Sequence, residues 1–174
     1  TRREGKKRKR YGHLSTGNYN QRTSRLYTDL SYFTADDALT SDMQKVFVHL
    51  ANQNEIPQLK RMLMAPYTLQ ATLLQRIAQA GRAAAAGKVA RITAKMNALT
   101  DVVLIEALLA AGRKGVQIDL IVRGACMLPA QVPGISDNIR VRSIIGRLLE
   151  HSRVFHFVVG EQEHVYLSSA DWMN

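Results

Sequence analysis

Three short stretches hold the residue types that phosphoryl chemistry uses. The first is His13-Leu-Ser-Thr-Gly-Asn-Tyr-Asn20, an imidazole beside short hydrogen-bonding side chains and a glycine. Gly17 lets the backbone approach an anion, and a turn of exposed N–H groups around it makes an anion nest. The second is Val122-Arg123-Gly124, at the end of a run with the character of a buried strand. Ligands of open α/β sheets gather outside the carboxyl ends of strands, where a guanidinium can present its fork to a phosphate. The third is Glu150-His151-Ser152-Arg153, followed by Val165-Tyr-Leu-Ser-Ser-Ala-Asp-Trp172. Two antiparallel strands running from His151 to Ser168 would return Ser168, Ser169 and Asp171 to the neighbourhood of His151 and Arg153. A histidine, a cation and small hydroxyl donors at one sheet end are equipped to move a phosphoryl group. Each stretch also has a plainer reading: a hairpin turn with a surface histidine, an arginine paired with a surface carboxylate, a structural histidine. His49, His156 and His164 are read as structural.

The elements that must position these groups follow from periodicity. Residues 8–14 read as the end of a strand entering a tight turn at Gly17-Asn18. Residues 24–33 (SRLYTDLSYF) are β-prone and read as one strand. Thr34 then reads as an N-cap with Asp36 and Asp37 in the first turn, opening a helix to about Leu50 whose apolar stripe is Val46, Phe47 and Leu50. Residues 52–57 form a polar connector and the best domain boundary. Residues 59–65 read as a strand stopped by Pro66. Residues 69–86 form an Ala- and Gln-rich helix ended near Gly87. A strand over 89–96, a helix over 101–114 stopped by Gly115 and a strand over 116–122 make a strand–helix–strand unit, which implies parallel strands and a right-handed crossover. Residues 125–138 read as a loop. Residues 141–145, 154–159 and 165–168 read as short strands, the last two joined at Gly160. The fold class is α/β with a mixed sheet and flanking helices.

Composition bounds the function classes. The chain has 174 residues, 46% hydrophobic and 22% charged, which is ordinary globular composition and enough chain for a sizeable core. The formal net charge of +10 is unevenly placed: the first ten residues hold seven of the 24 Lys and Arg and only one of the 14 Asp and Glu. This leader invites a nucleic-acid reading, but Tyr11 is the only aromatic near it, and a solvated charged hairpin is the better account. No apolar run is long enough to cross a bilayer. The single cysteine, Cys126, can form neither an internal disulfide nor a Cys-rich zinc site, and a reducing compartment fits. With no initiator Met and a motif running into its last residues, the sequence reads as a piece of a longer protein.

The motifs together resemble one family. His13-Leu-Ser-Thr-Gly-Asn-Tyr-Asn20, Arg25-Leu-Tyr-Thr-Asp29 and Thr34-Ala-Asp36 are similar to stretches of the bacterial polyphosphate kinases that make long-chain polyphosphate from ATP. Ala94-Lys-Met-Asn97, Leu120-Ile-Val-Arg-Gly124, Gly134-Ile-Ser-Asp-Asn-Ile-Arg140, Arg142-Ser-Ile-Ile145, Leu149-Glu-His-Ser-Arg153 and Tyr166-Leu-Ser-Ser-Ala-Asp-Trp-Met173 follow in the family's order. The resemblance covers essentially the whole chain. It implies phospholipase D-like catalytic modules, with residues 1–53 the C-terminal part of the first and 54–174 most of the second. It implies reversible transfer of the ATP terminal phosphate to polyphosphate, with ADP as product, through a phosphohistidine. That nucleophile belongs to an Ile-His-Ala-Lys-like motif upstream of the Thr-Gly-Asn segment, so the fragment alone is expected to lack it and to be inactive. His151 matches the histidine near the nucleotide phosphates, able to act as acid or base. Arg123 matches an arginine on the ATP phosphates, Tyr27 a tyrosine at the nucleotide, and His13 a second histidine supporting the nucleophile. Gly17 and Asn18 would shape the nearby turn. Mg²⁺ would accompany ATP, held largely by ATP and water because no carboxylate cluster offers a dedicated site. No specific nucleic acid is implied. A cytoplasmic enzyme is, and the resemblance admits peripheral association at the inner face of the membrane and a homo-oligomer in the intact enzyme.

Two other functions compete. A phospholipase D-type phosphodiesterase or nuclease needs a complete His-x-Lys motif in each half, and His151-Ser-Arg153 has Arg where those enzymes keep Lys. A non-catalytic polyanion or nucleic-acid binder would rely on the basic leader.

Overall fold

The computed structural model describes residues 1–52 and 55–173; Asn174 lies outside the described residues, as do Gln53 and Asn54, on which the expected boundary falls. In chain order, β1 (Arg2–Glu4), β2 (Lys7–Lys9) and β3 (Gly12–Ser15) lead through a 3₁₀ turn (Thr23–Arg25) to β4 (Tyr27–Thr28), β5 (Ser31–Thr34) and α1 (Asp37–Asn52). Next come α2 (Leu69–Ala85), β6 (Ala90–Met96), α3 (Val102–Arg113) and β7 (Gln117–Val122). The last strands are β8 (Ile139–Arg142), β9 (Leu149–Glu150), β10 (Arg153–Val159) and β11 (Gln162–Ser168). Two compact units result: Thr1–Leu14 with Ser31–Leu69, and Ser15–Leu30 with Gln70–Asn174. Among the described residues no helix is long and apolar enough to cross a membrane.

In the first unit, β1 and β2 form an antiparallel hairpin exposed along its whole length. Gly5, at φ +59°, takes the left-handed position of its two-residue turn, which L side chains avoid. The charged leader is thus a solvated hairpin, as its composition predicts. β3 pairs with β5, and α1 follows. The cap of α1 is Asp36, not Thr34: the Asp36 carboxylate accepts the Leu39 N–H at 2.8 Å, while Thr34 is still in β5 and its hydroxyl accepts the Asp36 N–H at 3.1 Å. Phe47 and Leu50 of the expected apolar stripe stand exposed.

Residues 59–65 do not form a strand. Three of their N–H groups, of Lys60, Arg61 and Met62, donate instead to Oδ2 of Asp42, buried on α1, at 2.8, 2.7 and 3.0 Å, and the Met64 N–H donates to the Thr68 hydroxyl. Burial alone would raise the pKa of this carboxyl, but the three N–H donors and the Lys45 charge outweigh it and hold the group below its ordinary value.

The second unit is built on a five-stranded sheet of order β11-β10-β6-β7-β8. β6, β7 and β8 are parallel, while β10 runs antiparallel to β6 and to β11. Alternate residues explain the layering. Ile92, Ala94 and Met96 of β6, Ile118, Leu120 and Val122 of β7, and Phe155 and Phe157 of β10 are buried on one face, together with Leu73 and Ile77 of α2 and Leu104 and Leu108 of α3. Each large side chain so buried contributes about 1.5–3 kcal/mol. The strand–helix–strand unit is parallel as expected; Asp101 caps α3 by accepting the Leu104 N–H, and Gly115 (φ +96°) stops it.

Other strand expectations shift: residues 8–14, read as one strand, are divided between β2 and β3 with Arg10 and Tyr11 between them. Residues 24–33 are broken, because the Asn20 side chain accepts the N–H groups of Arg22 and Thr23 at 2.9 and 3.2 Å and winds a 3₁₀ turn, leaving only β4 and β5 extended. The strand expected over 141–145 lies at Ile139–Arg142 and ends where the Ser143 hydroxyl bonds the Arg123 carbonyl, with Ile145 in solvent.

Candidate functional site

The site is assembled by a two-residue parallel pairing between segments far apart in sequence. Tyr27 and Thr28 pair with Leu149 and Glu150, and the Thr28 carbonyl accepts both the His151 and Ser152 N–H groups at 3.1 Å. This pins the turn from β9 into β10 and fixes where the His151 side chain lies. In the extended segment after β4, residues 27 and 29 project to one side. The Tyr27 ring lies 4.7 Å from the His151 ring, centroid to centroid, tilted by 36°. The Asp29 carboxylate approaches His151 Nδ1 at 3.1 and 3.2 Å. His151 itself is buried.

Asp29 is held in turn by the Thr16 hydroxyl, which donates to Oδ1 at 2.9 Å and accepts the Leu30 N–H at 3.0 Å. A Cβ on residue 17 would lie 2.3 Å from Asp29 Oδ2. The absent side chain at Gly17 leaves room for the Asp29 carboxylate, while the Gly17 N–H donates to the Ser15 hydroxyl at 3.0 Å. A carboxylate facing Nδ1 favours the tautomer with its proton there and leaves Nε2 as the acceptor.

Arg153 packs against the imidazole. Its Nη1 lies 3.2 Å from His151 Nε2 and 3.3 Å from His151 Nδ1, and donates to the carbonyls of Thr16 and His151 at 3.0 Å. Its Nε and Nη2 make a two-pronged pair with Asp171 at 3.2 and 2.9 Å. Asn97, with its amide oxygen turned to Arg153, accepts from Nη2 at 2.6 Å and donates to the Glu150 carbonyl at 3.2 Å. Burial alone would raise the Asp171 pKa, but the Arg153 hydrogen bonds and charge hold it below the ordinary value. Arg153 is thus a buried buttress of the histidine, its fork spent on Asp171.

The hairpin expected from sequence is present, its second strand beginning at Gln162 and Arg153 standing opposite Ser168, and it returns Asp171 to Arg153. The Ser168 hydroxyl, expected as a donor at the site, closes the local turn by donating to the Ala170 carbonyl and accepting the Ala170 N–H.

Arg123 reaches the same corner. It leaves the carboxyl end of β7 and donates from Nη1 to the Glu150 carbonyl at 3.2 Å, one residue before His151. Lys95, near the end of β6, sits 3.1 Å from the Glu150 carboxylate and donates to the Ser152 hydroxyl at 2.6 Å. Tyr27, Arg123 and His151 are therefore brought together within the second unit. His13 belongs to the first unit, on β3, stacked on Phe33 with ring centroids 4.3 Å apart.

Asp29, Asn97 and Lys95 are members of this corner to which the sequence reading gives no role. The alternation in Tyr27-Thr28-Asp29 is the signal that could have paired Asp29 with Tyr27. Among the described residues no group of three or more His, Cys, Asp or Glu could hold a metal. Asp29, Glu150 and Asp171 each face a basic side chain instead.

A mixed sheet with helices packed on its face, and an imidazole, a carboxylate and a guanidinium at the strand ends, make this an α/β protein with the fold of a solved polyphosphate kinase. The chain belongs to the polyphosphate kinase family: residues 62–174 match the model of polyphosphate kinase C-terminal domain 2, and residues 1–56 that of C-terminal domain 1. It is 53% identical over 164 residues to a polyphosphate kinase of Pseudomonas putida, covering 94% of this chain and 23% of that protein. With the polyphosphate kinase of Pseudomonas aeruginosa it shares 51% over 172 residues, 99% of this chain and 25% of the relative. The crystal structure of polyphosphate kinase from Porphyromonas gingivalis superposes on all of it with a TM-score of 0.89 at 36% identity, over 27% of that chain. The chain spans about a quarter of the length of the curated relatives it matches.

Proposed function

We propose that this chain carries the nucleotide-phosphate side of a polyphosphate kinase, which transfers the terminal phosphate of ATP reversibly to polyphosphate and releases ADP. The observation that supports it most is the convergence of Tyr27, Asp29 and Arg123 on the turn bearing His151. In this reading Arg123 binds the ATP phosphates and Tyr27 lies against the nucleotide. His151 moves a proton at Nε2 on the leaving oxygen, and Asp29 holds its Nδ1 proton and stabilises the imidazolium. The phosphoryl group passes from ATP to a histidine nitrogen outside these 174 residues, breaking the bond to ADP. It then passes to the terminal oxygen of the polyphosphate chain, breaking the P–N bond. His13 supports that nucleophile. Mg²⁺ enters as part of the ATP substrate, because the acidic side chains of the corner are paired with basic ones and offer no donor set for a resident ion. Residues 1–53 and 54–174 are assigned to the first and second catalytic modules. Homo-oligomer assembly and a cytoplasmic or peripheral-membrane location belong to the same reading and rest on family membership.

The diesterase alternative is disfavoured by Arg153, whose guanidinium is engaged by Asp171 where a diesterase presents a lysine to its substrate. The test is His151→Ala and Arg123→Ala in a kinase of full family length carrying this segment. Each should cut ATP-dependent chain synthesis by about 10²–10⁴ with an unchanged circular dichroism spectrum. Near-parental rates in either variant would remove that residue from the mechanism.

A further inference from the structure

The β1–β2 hairpin carries charge that nothing in the corner around His151 uses. Its register sets Arg2 opposite Lys9 and Arg3 opposite Arg8, like charges facing each other on both sides of a two-stranded ribbon. Such pairs destabilise a sheet, and all six strand residues are exposed. The third pair, Glu4 with Lys7, is the only one of opposite sign, and the Glu4 carboxylate also takes the Tyr11 hydroxyl as a donor. Arg10 is held by Gln44 at 2.9 Å. Arg2, Lys7 and Lys9 thus lie on one face of a cationic ribbon and Arg3 and Arg8 on the other, and an external polyanion would relieve the repulsion within the like-charged pairs.

The chemistry of the ribbon favours one polyanion. Single-stranded nucleic acids need aromatic platforms for their bases as well as cations for their phosphates. The two strands carry no aromatic side chain, and the neighbouring Tyr11 has the Lys9 ammonium 5.6 Å over its ring and its hydroxyl on Glu4. A bare phosphate chain needs only cations at close intervals along a line. Resting on the reading that polyphosphate is a substrate, we propose that the Arg2–Lys9 hairpin is a polyphosphate-docking ribbon, a binding site borne by the first unit and built from none of the residues at His151.

The test compares the chain with its Lys7→Gln/Arg8→Gln/Lys9→Gln variant for binding of long-chain sodium polyphosphate, of ATP and of a single-stranded oligonucleotide. Three lost phosphate contacts should flatten the salt dependence. Between about 50 and about 200 mM salt the parent should lose roughly 20-fold more polyphosphate affinity than the variant, taking ~0.7 counterions per contact as for single strands. ATP binding should change far less. Glu4→Gln, which adds no bulk, should tighten polyphosphate binding, and Lys7→Arg/Lys9→Arg should preserve it. Unchanged polyphosphate affinity and salt slope in the triple variant would overturn the docking site, as would an oligonucleotide bound as tightly as polyphosphate. The kinase reading is tested separately, by ATP-dependent synthesis in a kinase of full family length carrying the parental segment. If synthesis is present but polyphosphate affinity ignores the hairpin, only the ribbon falls; if synthesis is absent, the kinase reading falls.

Discussion

Replacing Asp29 by Asn removes one charge and almost nothing else. The amide has the shape of the carboxylate and keeps an oxygen to accept from Thr16. What it loses is the attraction between Asp29 and the His151 imidazolium formed when Nε2 takes a proton. At an effective dielectric near 20, unit charges about 4 Å apart attract by about 4 kcal/mol. Both side chains are shielded, with exposures of 10% for His151 and 17% for Asp29, so solvent trims this figure only in part. A residual of about 3 kcal/mol corresponds to roughly two decades in rate. The assay is steady-state polyphosphate synthesis from ATP by a kinase of full family length carrying this segment. The expected result is a kcat lowered about 100-fold with the KM for ATP little changed, because Asp29 acts through His151 and not on the nucleotide. An Asp29→Asn enzyme within about threefold of the parent would refute the pairing as a source of rate.

Gly17→Ala should act in the same direction, since the new Cβ would stand 2.3 Å from Asp29 Oδ2 and must push the carboxylate off His151. Its effect on kcat should be largely absent in an Asp29→Asn background, measured as a double-mutant cycle. Asp171 has a depressed pKa, so the stability it contributes is present above the ordinary carboxylate value of 3.8 and is lost as pH falls through the lower folded value. Denaturant unfolding from about pH 7 to about pH 3 should show an acid limb in the parent that Asp171→Asn flattens, with a lower plateau at neutral pH because buried Arg153 loses its counter-charge. Asp42→Ala should destabilise the first unit by about 3 kcal/mol, since three N–H groups lose a charged acceptor. Chemical unfolding followed by exchange protection of the 60–62 amides would read it.

What the sequence reveals is what local periodicity controls. The β6–α3–β7 unit, its stop at Gly115 and the β10–β11 hairpin each follow from residues within a few turns of one another. The hairpin register in turn places Asp171 beside Arg153. Elements decided by distant partners are misread. Residues 59–65 have strand-like side chains, but the amides of Lys60, Arg61 and Met62 are claimed by Asp42, which sits on a helix about 20 positions earlier. Residues 24–33 alternate like a strand, but Asn20 winds their start and only Tyr27 and Thr28 find a partner, at Leu149 and Glu150. Asp29 is the clearest case at the site. A carboxylate becomes a histidine's partner only through a pairing that no window of sequence contains.

That pairing also sets an order of events. Asp29 and His151 are 122 residues apart, and the strands that join them are two residues long. A ribosome adding about 5–20 residues per second needs roughly 6–24 s to travel between them. Through that interval the nascent chain holds a carboxylate waiting for an imidazole not yet made, and the entropy of closing so long a loop falls on a handful of backbone bonds. Closing that loop and pairing Asp29 with His151 are therefore one event.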